Sequence, residues 1–372
     1  MGKKRVLMVS HRWPPRYGGL QNASFMYAEN LAKNNKYDVS VFTSKEEGYE
    51  NICPNGVNLI EGKSYPFLYN NFGIPQPIFT LNALKLLKEA VKNNDFIIIN
   101  DRYYISSFFA YKYAKKFGKK IILILQTPVL KYKWPLSIIY NINNKLSKNI
   151  VKNSDKIFAV TYETGSQVLD SLDIEKEVDV LYNPVDLRNF KKKPKKFKDF
   201  TILFVARFVE KKGVFLLPKL VKSLGNEKVK IIAIGDGPEL NKIKKECEDL
   251  KKISFIGKIT DKKKLAEYYL KSHIFLITST HGEAFPLVIG EALAAGLPIV
   301  STKGGTYLEI FNNDIGYLCE TFSPEEITFN LIKLMNNSKD YAKKSKNAYN
   351  FAKNSLDIEI LGDKIERYIE DE

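Results

Sequence analysis

The chain predicts an α/β protein made of doubly wound parallel sheets, in two domains. Short apolar runs alternate with helical stretches along the chain, which is the pattern of repeated strand–helix–strand units. The 372 residues suffice for two domains of ordinary size. A Lys/Pro-rich stretch near the middle, KKKPKKFKD from Lys191 to Asp199, reads as a solvated crossing between them.

Composition narrows the class. At 44% apolar and 27% charged the chain is a typical soluble globular protein. No apolar run approaches the roughly 18 residues of a membrane span. The N-terminus, MGKKRVLMVS, passes from basic residues straight into a strand and reads as lacking a signal peptide. Cys53, Cys247 and Cys319 are far apart, so neither a disulfide framework nor a metal site is expected, and a reducing cytoplasm is. The net charge of +16 suits phosphorylated substrates, anionic lipid or nucleic acid. No nucleic-acid recognition motif accompanies it, so nucleic acid is not an expected partner.

Arg5–Ser10 reads as a buried strand. The following loop carries Pro14-Pro15 and Gly18-Gly19, then a helix from about Gln21 to Lys33 with Phe25, Ala28, Leu31 and Ala32 on its apolar side. A glycine pair before a helix lets backbone approach a ligand closely, or simply makes a turn. Asp38–Thr43, Phe96–Asn100, Ile121–Leu125, Lys156–Thr161 and Val178–Tyr182 are strand-like. Leu81–Val91, Ile105–Phe117 and Ile138–Val151 are helical. Arg102 follows a strand's carboxyl end, either facing the crevice where such sheets bind ligands or lying on the surface.

From Lys112 to Lys156 there are eleven lysines and one acid, Asp155. Ile138, Ile139, Ile142, Leu146 and Ile150 fall on one helical arc, with Lys145, Lys148 and Lys152 beside it and Tyr132 and Trp134 before it. Such a helix can lie on an anionic membrane, or cover a sheet with its lysines solvated.

Thr201–Ala206 is a strand ending in Arg207, with Lys211, Lys212 and Gly213 just beyond. A guanidinium fork and a lysine at one strand end can converge on a diphosphate, or form an ordinary charged loop. Ile231–Ile234 leads into Gly235-Asp236-Gly237-Pro238, a glycine turn with proline at a helix start. Ile253–Gly257 is the next strand. Then come strand Ile274–Thr278, a turn-like Gly-Glu-Ala-Phe-Pro, helix Leu287–Ala295 and strand Ile299–Ser301. Glu283 and Glu291 stand eight residues apart across that loop and helix, a little over two turns. The helix N-terminus suits a phosphate, and because Pro286 has no N–H the donors are Leu287 and Val288. Glu291 is then better aimed at sugar hydroxyls. The alternative makes Glu283 a helix-start acid and Glu291 a solvated face. Pro324 onward reads as helical.

The run EAFPLVIGEALAAGLPIVST, with Gly304-Gly305 after it, resembles the signature of the family 4 retaining glycosyltransferases, which have the GT-B fold and use nucleotide-diphosphate sugars. The resemblance covers nearly the whole chain and is stronger in its second half. It implies two Rossmann-like domains facing across a cleft: 1–190 for the acceptor and 191–354 for the nucleotide sugar. A helix at about 355–372, with Asp357–Ile369 as candidate, returns to the first domain. It implies that Gly18 and Gly19 face the donor phosphates and acceptor. Arg207 and Lys212 contact the diphosphate. Gly235 and Gly237 lie beside the nucleotide, and Gly257 lies against the base. Glu283 contacts the donor sugar and Glu291 the ribose, with Phe285, Leu287 and Val288 completing the donor site. Arg102 and Gln126 stand on the acceptor side.

Two departures stand out. Gln126 occupies the place of a histidine found near the reacting sugar in many members, and an amide does no acid–base work. Asn183-Pro184-Val185-Asp186 replaces a family glycine by Pro184. No Asp-x-Asp is present, so no metal or other cofactor is expected. The resemblance implies a glycan or lipid-linked acceptor and a cytoplasmic enzyme of cell-envelope glycan synthesis, at the inner membrane face if the basic stretch meets lipid. A nucleotide-sugar 2-epimerase and a non-catalytic basic scaffold are the alternatives.

Overall fold

The computed structural model describes residues 2–15, 18–48, 50–68, 76–129, 136–192 and 194–372. The chain divides into two compact units, Met1–Pro184 with Ile358–Glu372, and Val185–Asp357.

The first unit holds an eight-stranded sheet. Its strands are β1 (Lys4–Val9), β2 (Tyr37–Lys45), β3 (Val57–Tyr65), β4 (Ile78–Phe79), β5 (Phe96–Asn100), β6 (Lys120–Leu125), β7 (Lys156–Ala159) and β8 (Asp179–Val180). They lie in the order β4-β3-β2-β1-β5-β6-β7-β8, parallel except for the β3–β4 pair. The helices between them are α1 (Gly19–Lys33), α2 (Leu81–Lys92), α3 (Ile105–Lys116), α4 (Leu136–Asn153) and α5 (Tyr162–Leu172). β1, β5 and β6 are buried on both faces, and each fully buried aliphatic side chain there contributes about 1.5–3 kcal/mol. The strand order reverses between β1 and β5, so their carboxyl ends flank the crevice of this unit.

β3 and β4 have no counterpart in the sequence expectation. β3 carries Asn58, Glu61, Gly62, Lys63 and Ser64, which hide it from a search for apolar runs. Among the described side chains of α4 the buried ones are Ser147, Ile150 and Val151, while Leu146 is exposed, so Leu146 does not belong to the inward arc. Lys145 and Lys152 are solvated. Tyr132, Trp134 and the side chains of Ile138, Ile139 and Ile142 lie outside the described residues.

The second unit holds a six-stranded parallel sheet, β9 (Phe200–Val205), β10 (Val229–Ile234), β11 (Ile253–Gly257), β12 (Ile274–Ile277), β13 (Ile299–Thr302) and β14 (Gly316–Cys319). The order is β11-β10-β9-β12-β13-β14, with the reversal between β9 and β12. Its helices are α6 (Leu216–Ser223), α7 (Leu240–Glu246), α8 (Lys262–Lys271), α9 (Leu287–Ala294), α10 (Pro324–Asn336) and α11 (Ser338–Phe351). The final helix, α12 (Ile358–Asp371), belongs to the first unit, where Ile358, Leu361, Ile365 and Ile369 enter a core that also contains Tyr27, Leu31 and Val39.

The unit boundaries fall at Pro184 and Asp357 rather than at 190 and 354. Val185 N donates to the Leu356 carbonyl at 2.8 Å, and buried Phe190 packs 6.3 Å from the Tyr269 ring. The Lys191–Asp199 stretch therefore belongs to the second unit. Its Phe197 N donates to the Lys271 carbonyl at 2.9 Å.

Candidate active site

The residues marked in the second half of the sequence gather at the carboxyl end of one sheet. Arg207 follows β9, Gly235 and Gly237 follow β10, and Gly257 ends β11. Glu283 to Val288 join β12 to α9, and Gly304-Gly305 follow β13. This end of the sheet includes the β9–β12 reversal, where open α/β sheets bind ligands.

Glu283 is fixed through its backbone. Its N–H donates to the Gly304 carbonyl at 3.2 Å and its carbonyl accepts from Thr306 N at 2.8 Å. The close approach requires glycine at 305, because a Cβ there would overlap the Glu283 carbonyl oxygen. The Glu283 side chain is only 10% exposed, yet it points at cations. Lys212 Nζ lies 2.8 Å from Oε2 and Lys211 Nζ 3.8 Å from Oε1.

Both lysines ride on a short 3-10 turn, Glu210–Lys212, that is stitched to the loop after β12. Thr278 Oγ1 donates to the Lys212 carbonyl at 2.7 Å, and Thr280 N donates to the Lys211 carbonyl at 2.9 Å. Gly213 closes the turn with φ 63°, and a Cβ there would run into the Thr278 carbonyl. Arg207 is exposed, five residues before Lys212 in the sequence. The first turn of α9 presents the N–H groups of Leu287 and Val288 toward the same loop side. Phe285 lies in the same loop. The residue is 2% exposed, and its ring anchors the loop in the core.

Glu291 is not a solvated residue. Its Oε2 accepts a 2.8 Å hydrogen bond from Tyr269, a fully buried residue of α8. Burial pushes the Glu291 carboxyl up to about 7, against the lowering effect of the Tyr269 bond. The Gly235–Gly237 turn holds the Arg207 loop in place. Phe208 N donates to the Asp236 carbonyl at 2.8 Å, and Gly235 N to the Gly257 carbonyl at 2.9 Å.

In the first unit Gly18 is extended, with φ −178°, and caps α1, which begins at Gly19. Arg102 is neither a surface residue nor open to the crevice. It is 1% exposed, its guanidinium lies 3.9 Å from the Tyr103 ring centre, and it donates to the Thr127 carbonyl at 3.2 Å. Gln126 is buried and donates to Asn100 Oδ1 at 3.1 Å, in a network that continues to Ser24.

His11, directly after β1, drew no attention in the sequence. It is buried, stacked on Tyr104 at 3.4 Å, with Nε2 3.3 Å from Gln21 Nε2. Burial, with the neighbouring Arg12 charge, holds its pKa well below the usual value, so it is neutral at pH 7. Lys211 and Tyr269 were also missed. Lys211 had the signal of a doubled lysine, whereas Tyr269 had none beyond its place on an unmarked helix. A cavity of about 460 Å³ at the amino end of the first sheet, beside Arg5, Asp38 and Asn58, contains none of the marked residues. Among the described residues no three His, Cys, Asp or Glu side chains gather as metal ligands.

Two family models adjoin along the chain: Glycosyltransferase Family 4 over residues 17–189 and Glycosyl transferases group 1 over 186–351. Two doubly wound α/β units of this topology are the GT-B architecture of glycosyltransferases. The chain belongs to the group 1, family 4 glycosyltransferases.

An uncharacterized glycosyltransferase of Methanocaldococcus jannaschii, MJ1069, is 23% identical over 96% of this chain and 95% of its own. The N-acetyl-alpha-D-glucosaminyl L-malate synthase of Bacillus anthracis is 24% identical over 78% of this chain and 81% of its own. Among solved structures, Anabaena HepE in complex with UDP matches with TM-score 0.77 at 15% identity, over 99% of this chain and 100% of that one. Sucrose-phosphate synthase of Thermosynechococcus elongatus matches with TM-score 0.80 at 16% identity, over 99% of each chain.

Proposed function

We propose that the chain transfers a sugar from a nucleotide-diphosphate sugar to a glycan, lipid-linked or small-molecule acceptor, with retention at the anomeric carbon and without a metal ion. The observation that carries the reading is the Lys212–Glu283 pair, held at the β9–β12 reversal on the loop that leads into α9. In the transfer, the bond from the anomeric carbon to the diphosphate breaks and negative charge builds on the leaving group. Arg207, Lys212 and the N–H groups of Leu287 and Val288 oppose that charge, in the manner of an oxyanion site. Glu283 meets the donor sugar, and Glu291 accepts from the ribose hydroxyls.

On the acceptor side Gly18, Gly19, Arg102 and Gln126 belong to the first unit, with Arg102 and Gln126 acting from within its buried network. The neighbours crystallised with UDP and with UDP-glucose favour a uridine nucleotide as the first donor to try. The lysine-rich stretch around α4 supports contact with an anionic membrane at its cytoplasmic face. Among the described residues no helix is long and apolar enough to cross a membrane.

The test is a thermal-shift panel of UDP, GDP, ADP and their sugars without added metal. A ligand at 100 times its Kd stabilises by about 2.7 kcal/mol, a shift of several degrees. One clear hit supports the donor site, and the anomeric configuration of a product then tests retention. No shift from any nucleotide, in well-folded protein, sinks the proposal.

A further inference from the structure

Glu283 stands between two lysines at unequal distances. Lys212 makes the short contact, 2.8 Å to Oε2, while Lys211 stands 3.8 Å from Oε1. Oε1 is buried, and among the described residues none donates a hydrogen bond to it. The Lys212 side chain is 18% exposed and the Lys211 side chain 51%, so Lys211 has room to move. Their backbones do not. Thr278 Oγ1 pins the Lys212 carbonyl, while Thr280 pins that of Lys211 through N at 2.9 Å and Oγ1 at 3.2 Å. The turn therefore keeps both ammonium groups within reach of one carboxylate, and any exchange between them is a side-chain movement.

On the proposed function, a donor diphosphate draws Lys212 toward itself. A buried carboxylate deprived of its closest cation takes up a proton or costs several kcal/mol. We propose that Lys211 is a positioning residue that takes over Glu283 when Lys212 turns to the diphosphate, so that the carboxylate keeps a cation beside the donor sugar. Lys212 serves the phosphate and Lys211 serves the glutamate. The further titratable groups near Glu283 do not substitute for Lys211. Tyr307 has a buried phenol whose pKa is raised, so it stays neutral, and His281, on the same loop, is exposed.

The experiment measures proton exchange on donor binding by calorimetry at pH 6, in two buffers of different ionisation enthalpy. The probe is UDP-glucose, or whichever of GDP-mannose and ADP-glucose the wild-type chain binds more tightly. A nucleotide sugar has both phosphates esterified and does not itself titrate there. The wild-type chain, in which Glu291 sheds protons on binding at this pH, sets the reference proton balance. Lys211→Met is expected to bind within about threefold of wild type while its proton balance shifts toward uptake, relative to wild type, by a substantial fraction of a proton. Lys211→Arg restores the wild-type proton balance, and Glu283→Gln added to Lys211→Met removes the shift. Lys212→Met loses more than about tenfold in affinity, or 1.4 kcal/mol.

Unchanged proton uptake in Lys211→Met overturns the handover while leaving the functional reading intact. An affinity loss as large as that of Lys212→Met also overturns it, making Lys211 a second phosphate ligand. If the wild-type chain binds none of the three donors, the functional reading falls and this assignment falls with it.

Discussion

Tyr269 donates its phenolic hydrogen to Glu291 Oε2 across 2.8 Å, joining two helices that flank β12. The bond commits one carboxylate oxygen to the protein. With burial pushing the carboxyl up to about 7, Glu291 changes charge near neutrality. Donor affinity is expected to fall as pH drops from about 8 to 6, because the protonated acid loses acceptor capacity. Calorimetric titration with a nucleotide sugar across that range checks this, and the fall should vanish in Glu291→Gln.

The same group shapes stability. A carboxyl with a raised pKa in the folded state favours the protonated form, so its contribution is fully present below about 4.5 and is lost as pH rises through about 7. Glu291→Gln removes that decline. Relative to wild type it should gain on the order of 1–3 kcal/mol between pH 5 and pH 8, read from urea unfolding at each pH. A parallel pair of curves would contradict a buried, titrating Glu291.

Tyr269→Phe deletes the hydrogen bond while keeping the ring that packs 5.6 Å from Phe275. The expected loss of stability at neutral pH is about 0.5–1.5 kcal/mol. Because the phenol favours the ionised acid, the pH midpoint of donor binding should move upward in this variant. A midpoint that stays put would mean that Glu291 does not titrate in binding.

Gly213→Ala places a methyl group against the Thr278 carbonyl at a residue with φ 63°. The turn then has to detach from the β12 loop, which misplaces both lysines. A loss of at least about 1–3 kcal/mol in unfolding free energy is expected, with donor binding weakened as well. Wild-type binding in this variant would show that the stitching is irrelevant to the site.

Leu361→Ala removes a fully buried side chain of α12 from the first unit's core. It should cost about 2–5 kcal/mol. Limited proteolysis should then cut first within Met1–Pro184, although the substitution lies near the end of the sequence. Cleavage confined to the second unit would contradict that placement.

Both sheets could be read from sequence because parallel strands covered on both faces are continuous apolar runs, as in VLMV of β1 and IFLI of β12. β3 escaped because its polar side chains take their register from β2 rather than from their own pattern. The site divided in the same way. The spacing of Glu283 and Glu291 lies within one loop and helix and is visible in one dimension. Their partners are not: Tyr269 is 22 residues from Glu291, and the lysines reach Glu283 only because β9 and β12 are neighbours. Arg102 was misread for a related reason. The aromatic ring and carbonyl that make its burial tolerable, Tyr103 and Thr127, come together only once β5 and β6 pair.

The placement of Ile358–Glu372 in the first unit also governs the order of folding. During synthesis the ribosome delivers Met1–Pro184 first, but the side chains of Ile358, Leu361, Ile365 and Ile369 arrive only after all of Val185–Asp357 has been made. Until then the groove beside α1 that they fill presents bare apolar surface. The half of the chain that is made first is thus the half completed last, and Val185–Asp357 can become native while its predecessor waits.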